Sequence, residues 1–326
     1  EVDMESQKRT ASDRDNLLDG IKTVLVDVDG TTTPLSFVEE TLLPYVKENL
    51  RTYLESHWDN EDCQESIEAL RQQAASDKEG GIEGAVDKKE GGIEGAVEIE
   101  AADKEKDTIL DSVVNNVMWQ MENKRNPSCL SQLQSQVYRE AYKTGKIQGQ
   151  IFKDVAPALK SWVLGGKKVF SYSSASAESQ KLLFGHSTSG DLREQVAGHF
   201  DNEVGAKEEK ESYVKIAKQA ECNPDEILFL TDIAAEAKAA AEAGLNVCIV
   251  TREGNAPLSA EDKQNFNSIS SFTELDDSGS GGDKMVKTDV AADSTNGDAE
   301  EQGQGDAPAQ AEQAEAEAAA EEAPAE

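Results

Sequence analysis

The chain has 326 residues, with 65 acidic side chains against 32 basic ones and a formal net charge of −33. A field of that sign repels phosphate backbones, so nucleic-acid binding is disfavoured, and an anionic substrate needs a cation or a local cluster of Lys and backbone N–H groups. No apolar stretch reaches the ~18 residues that cross a bilayer, and Cys63, Cys129, Cys222 and Cys248 are too far apart for a zinc or redox motif, which fits a reduced, intracellular setting.

Residues 1–19 read as a disordered polar leader without the apolar segment of a signal peptide. The run Ile21-Lys22-Thr23-Val24-Leu25-Val26 follows Gly20 and precedes Asp27-Val28-Asp29-Gly30-Thr31, which predicts a short buried strand ending in a turn. Apolar residues then recur at helical spacing in 37–54, 67–73, 109–121 and 130–142, with no strand between them. This predicts an all-helical cap over 36–148, inserted after the first strand. Within it, Glu79-Gly-Gly-Ile-Glu-Gly-Ala-Val86 returns as Glu90-Gly-Gly-Ile-Glu-Gly-Ala-Val97, a period of 11. Two Gly-rich charged copies are too few for a solenoid, so 77–100 reads as a duplicated surface loop.

Three more strands are predicted, at 168–172, 227–230 and 246–250, the last with Cys248 as a small buried thiol. Helical patterns at 177–184, 211–220 and 234–243 separate them. Strands alternating with helices imply an α/β fold, a doubly wound parallel sheet with helices on both faces. Its core spans 20–35 and 149–275. From 276 to 326 there is no aromatic residue, and 15 acidic residues face 2 basic ones, so this stretch reads as a disordered acidic tail. With the tail's −13 removed, the rest of the chain still carries −20.

The chemistry lies at the ends of these strands. Asp27 and Asp29 leave the carboxyl end of the first strand, where open parallel sheets bind ligands, and Gly30 permits a sharp turn. A carboxylate there can attack phosphorus, and a second one two residues on can carry the proton for the leaving oxygen. Ser173 and Ser174 end the second strand with hydroxyl and N–H donors. Lys207 follows Gly205 in a loop and can neutralise phosphate charge. Asp232 ends the third strand, either as a third carboxylate or as the N-cap of the next helix. Asp27, Asp232 and the backbone carbonyl of Asp29 make an all-oxygen site of the sort Mg²⁺ accepts. Each position alone has a bland explanation; their shared place at strand ends favours one site. His186 is weighed as a proton carrier against a structural helix-end role, and His57 reads as packing.

This arrangement resembles the haloacid dehalogenase superfamily of phosphatases, with Asp27 and Asp29 matching its first motif, Ser173 its second, Lys207 its third and Asp232 its fourth. The segments Asp-Gly-Thr-Thr-Thr-Pro (29–34), Asn-Asn-Val-Met-Trp-Gln-Met (115–121), Tyr-Ser-Ser-Ala-Ser (172–176) and Gln-Lys-Leu-Leu-Phe-Gly-His-Ser (180–187) are similar to the bifunctional enolase–phosphatase (acireductone synthase) family of methionine salvage. The resemblance covers about residues 20–275. It implies a Rossmann-like core with a helical cap, Asp27 and Asp29 as catalytic residues, and one Mg²⁺ held by Asp27, Asp29 and Asp232. It further implies that Ser173, Ser174 and Lys207 bind the phosphate of a small phosphorylated diketone. Members are usually monomeric and found in cytoplasm and nucleus. Asp29 stands where many members carry Glu. Two alternatives stay open: a capped phosphatase for another small ester, and a non-enzymatic acidic-tailed binding protein.

Overall fold

The computed structural model describes residues 17–79 and 97–275. Most of the leader, the heart of the repeat (80–96) and the acidic tail lie outside the described residues. Strand β1 (Thr23–Asp27) is followed by a helical stretch: α1 (Leu35–Phe37), a π-helical turn (Val38–Leu42), α2 (Leu43–Ser56), α3 (Glu61–Glu79), α4 (Lys106–Glu122) and α5 (Ser128–Lys143). The chain then alternates through α6 (Val155–Leu164), β2 (Lys168–Tyr172), α7 (Ala177–Gly185), β3 (Gly198–Phe200), α8 (Lys210–Gln219), β4 (Ile227–Thr231), α9 (Ala234–Glu242), β5 (Asn246–Val250), α10 (Ala260–Asn265) and β6 (Asn267–Ile269).

The six strands form one parallel sheet in the order β3-β2-β1-β4-β5-β6. β1 and β4 are buried along their whole length, as strands covered on both faces must be. Alternation along them still sorts the two faces. Val24, Val26, Leu228 and Leu230 point into one apolar cluster, and Leu25, Ile227 and Phe229 into another. Burying each such side chain contributes roughly 1.5–3 kcal/mol. The first cluster continues without a break into Val46, Leu50, Leu70, Val113 and Leu133 of the helical stretch. The second is closed by Tyr213 and Ile216 of α8 and Ala239 and Ala240 of α9.

Sequence and structure differ at several places. Strands β3 and β6 were not predicted, since three residues are too few to show a period. Helix α6 was also missed; Pro157 falls in its first turn, where a missing N–H is tolerated. The leader ends sooner than residue 19, because Leu18 is buried in the core and Leu17 packs against it. The repeat loop is shorter than 77–100. Residues 77–79 complete α3, and the Val97 carbonyl accepts a bond from Asn116 Nδ2 at 2.6 Å. The predicted 37–54 helix is interrupted near Pro44, which cannot donate an N–H to the preceding turn, and the backbone widens there into the π turn.

Candidate active site

β1 lies between β2 and β4, so the chain leaves its carboxyl end at the point where strand order reverses. Asp27 is the last residue of β1 and pairs with Tyr172, while Val26 pairs with Leu230. Ser173 and Asp232 therefore emerge beside Asp27 on the flanking strands. The turn after Asp27 is tight. The Val28 carbonyl accepts N–H bonds from Thr32 at 3.0 Å and Thr33 at 2.9 Å, and Gly30 N–H donates to the Thr33 carbonyl at 2.8 Å. Gly30 sits at φ 82°, and a Cβ there would lie 2.8 Å from Asp232 Cγ. Glycine thus serves twice, by taking a left-handed conformation and by letting the Asp232 carboxylate approach the backbone. Asn255 Nδ2 (2.9 Å to the Gly30 carbonyl) and Arg252 Nε (3.1 Å to the Thr31 carbonyl) pin the turn from behind.

Asp27 is buried. Thr31 Oγ1 donates to its Oδ2 at 2.9 Å, and Lys207 Nζ donates to its Oδ1. The same ammonium lies 2.9 Å from Glu236 Oε2, which also accepts from Thr231 Oγ1 at 2.6 Å. The loop carrying Lys207 is fixed by its backbone. Tyr172 Oη donates to the Gly205 carbonyl at 2.8 Å, Ser212 Oγ to the Ala206 carbonyl at 2.7 Å, and Tyr213 Oη to the Lys207 carbonyl at 2.6 Å.

The cluster is short of positive charge. Burial alone would lower the Lys207 ammonium, but the charges of Asp27 and Glu236 outweigh it and hold it above its ordinary value. Burial, and then the neighbouring Asp27 charge, push the Asp29 carboxyl up to about 6. The same two causes raise Asp232 and Glu236 well above the usual carboxylate range. Asp27 and Asp232, distant in sequence, therefore lie at one rim of the sheet, with the Asp232 carboxylate against the turn that follows Asp27. Asp232 Oδ1 is buried with no hydrogen-bond partner. Asp232 does not cap α9: the N-cap is Ile233, whose N–H bonds Thr231 Oγ1 at 3.1 Å.

An orphaned carboxylate oxygen beside a second carboxylate suits a hard cation. Among the described residues no three acidic, His or Cys side chains gather as a metal cage. A cation here would draw the rest of its shell from backbone carbonyls, water or substrate, which is the composition Mg²⁺ favours.

Ser173 is buried at the end of β2, with its Oγ accepting from Ala175 N–H at 3.0 Å. Ser174 is drawn toward the helical layer, where its carbonyl accepts from Asn126 Nδ2 at 2.9 Å. Sequence reasoning missed Glu236, whose signal was its spacing four residues after Asp232, one helical turn. Nor did the helical spacing over 130–142 single out Tyr138 and Tyr142. Both rings are buried on α5, and burial, with the Asp29 charge adding to it, holds the phenols above their ordinary value as neutral donors. His186 is the C-cap of α7 and stacks on Tyr142 with centroids 5.8 Å apart, and His57 stacks on Tyr53 at 4.3 Å.

A sequence model of the haloacid dehalogenase-like hydrolases matches residues 21–244. The chain belongs to that family. Within it, the chain is 48% identical over 267 residues to an enolase-phosphatase E1 of Branchiostoma floridae, covering 81% of this chain and 86% of the relative. It is 42% identical over 252 residues to the enolase-phosphatase E1 of Danio rerio, covering 77% and 93%. These similarities make the chain a member of the enolase-phosphatase E1 group of haloacid dehalogenase-like hydrolases. Among solved structures it is similar to the UTR4 protein of Saccharomyces cerevisiae, with a TM-score of 0.55 and 25% identity over 77% of this chain and 98% of that one. No helix among the described residues is long and apolar enough to cross a membrane.

Proposed function

We propose that this chain is a Mg²⁺-dependent enolase–phosphatase, an acireductone synthase. It converts 2,3-diketo-5-methylthiopentyl-1-phosphate to 1,2-dihydroxy-3-keto-5-methylthiopentene and inorganic phosphate, in methionine salvage from methylthioadenosine. The observation that carries the reading is Asp27: a carboxylate at the carboxyl end of the central strand, aimed by Thr31 and Lys207, in a cluster whose acids outnumber its cations. The relatives named enolase-phosphatase E1 support an enolisation coupled to phosphate release.

In this reading a proton first moves from the carbon beside the substrate's ketone to the ketone oxygen, giving the enol phosphate. Asp27 then attacks phosphorus, forming an aspartyl-phosphate as the bond from phosphorus to the substrate oxygen breaks. Asp29 gives its proton to that leaving oxygen; its raised pKa enlarges the protonated fraction needed there. Water next attacks the aspartyl-phosphate, Asp29 takes its proton, and Asp27 is regenerated with release of phosphate. Ser173, Ser174 and Lys207 hold the phosphate oxygens. Mg²⁺, held by Asp27, Asp232 and the Asp29 carbonyl, would neutralise charge on the phosphate. Residues 36–148 act as the cap that closes over the substrate, and the protein works as a monomer in the cytoplasm and nucleus.

The test is turnover by the purified full-length chain with Mg²⁺ and the diketone phosphate. Enol absorbance should rise and inorganic phosphate follow. Phosphate release with no enol signal would favour a phosphatase for another ester, and no reaction at all would remove the enzymatic reading.

A further inference from the structure

The segment Ser173–Ser176 after β2 is held from two sides, by the α/β core and by the helical layer opposite it. Three neighbouring groups of this segment are gripped from there. The Ser174 carbonyl accepts from Asn126 Nδ2 at 2.9 Å, and Asn202 Nδ2 reaches the same oxygen at 3.4 Å and the Asn126 carbonyl at 3.3 Å. Ser176 N–H donates to Ser131 Oγ of α5 at 2.7 Å. The Ser176 hydroxyl meets Ser135 Oγ, one turn further along α5, and Ser135 Oγ is also 3.0 Å from Ser179 Oγ. Ser131, Ser135 and Ser176 are all buried, so these bonds are shielded from competing water. A shallow crevice opens where the two sides meet, lined by Ser128, Ser131, Gln132, Ser174, Asp201 and Asn202.

Between the gripped groups lies Ser173. Its Oγ already accepts from Ala175 N–H, which leaves its own hydrogen free to donate to a phosphate oxygen. The direction of that donor is set by the peptide groups at 174–176, which Asn126 and Ser131 grip from the helical layer while Gln180 of α7 holds the Ala175 carbonyl from the core at 2.9 Å. We propose that Asn126 and Ser131, with Ser135 behind them, are positioning residues for phosphate: the helical layer shapes the Ser173–Ser174 loop directly through hydrogen bonds as well as covering the substrate. This rests on the reading of Ser173 and Ser174 as phosphate-binding residues. It follows that docking of α5 and formation of the phosphate site are one event, so substrate affinity depends on residues that never touch substrate.

The experiment uses the full chain with Mg²⁺, inorganic phosphate as the ligand in titration calorimetry, and steady-state kinetics on the diketone phosphate. Ser131→Ala and Asn126→Ala should each weaken phosphate binding and raise KM by about tenfold, the weight of one well-placed hydrogen bond, while kcat stays within about threefold. Ser131→Thr keeps the hydroxyl and should restore affinity to within about threefold of the parent. Purely structural bonds would lower the melting temperature without this split between KM and kcat. Ser173→Ala is the control for the underlying reading. If it weakens phosphate binding while Ser131→Ala and Asn126→Ala bind as the parent does, the positioning role is overturned and the phosphate loop stands. If Ser173→Ala also binds as the parent does, the phosphate loop falls, and the positioning role with it.

Discussion

Two groups of buried charge lie in different parts of this molecule and are built on opposite plans. In the helical layer, Asp77 of α3 meets Arg125 in a two-pronged pair, with Nη1 at 2.5 Å from Oδ2 and Nη2 at 2.8 Å from Oδ1, and Gln73 Nε2 adds a bond to Oδ1 at 2.9 Å. One acid meets one base, and both carboxylate oxygens are satisfied. At the sheet rim, Asp27, Asp29, Asp232 and Glu236 crowd around Lys207, and Asp232 Oδ1 has no hydrogen-bond partner. A balanced pair needs nothing more from outside. An acid-rich cluster held rigidly in place is stabilised by whatever brings positive charge, and its raised carboxyl pKa values are the mark of that imbalance. The difference separates a group that holds the fold from a group that does chemistry.

The largest contrast should come from neutralising one acid in each group. Asp27→Asn removes the nucleophile, so phosphate release should fall about a thousandfold or more, measured as inorganic phosphate against time. The fold should survive, because one like charge leaves a crowded cluster, and enolisation can persist. Near-normal phosphate release would break the nucleophile assignment. Asp77→Ala should do the reverse. It strands a largely buried guanidinium and should cost about 3–5 kcal/mol in urea unfolding, with kcat changed less than threefold. If Asp77→Ala abolishes turnover while leaving stability intact, the two groups have been assigned the wrong way round.

How much of this could be read from the chain follows the same division. Strands β1, β2, β4 and β5 were legible because apolar runs such as Val24-Leu25-Val26 are bounded by turn residues. Three-residue edge strands carry no such signal; Gly198 and Asn267 become strand residues only by pairing with Phe170 and Cys248. The rim acids at 27, 29 and 232 were legible because each lies within three residues of the end of an apolar run. Glu236 was not, because a Glu in an Ala-rich helix reads as solvated, and only the crossing of α9 over the strand ends buries it. Asn126, Ser131 and Ser135 were invisible for a similar reason. Their partners lie 41 to 48 residues away, and nothing local distinguishes a docking serine from an exposed one.

Cation dependence sharpens the comparison at a smaller scale. Mg²⁺ at about a hundred times its dissociation constant should stabilise the folded chain by about 2.7 kcal/mol, read as a rise in melting temperature reversed by EDTA. Asp232→Asn should lose most of that gain, yet in EDTA it should be as stable as the parent or more so, since a repelling carboxyl has gone. Asp77→Ala should keep the full Mg²⁺ gain. A parent protein whose melting is indifferent to Mg²⁺ would remove the cation from the rim.

The smallest effect belongs to a third buried network, which balances by being neutral. Ser171 Oγ donates to Gln180 Oε1 at 2.5 Å and lies 2.7 Å from His199 Nδ1, whose ring stacks on Phe184 with centroids 6.0 Å apart. Burial, and then the nearby Lys181 charge, push the His199 imidazole down to about 4. A histidine depressed in the folded state takes up its proton more readily once the chain unfolds. Its contribution is therefore complete above the unfolded value near 6.5, shrinks as pH falls below it, and is gone below about 4. The rim carboxyls act with the opposite sign, because their raised values make the folded state the better proton acceptor. The whole-protein profile mixes the two, so the informative quantity is the difference between parent and His199→Gln. Unfolding free energy measured between pH 7 and pH 4 should fall more steeply in the parent, by about 3 kcal/mol over that range. Parallel profiles would mean that the imidazole is solvated well enough to take its proton in place, and that this network belongs with the surface rather than with the two buried charge groups.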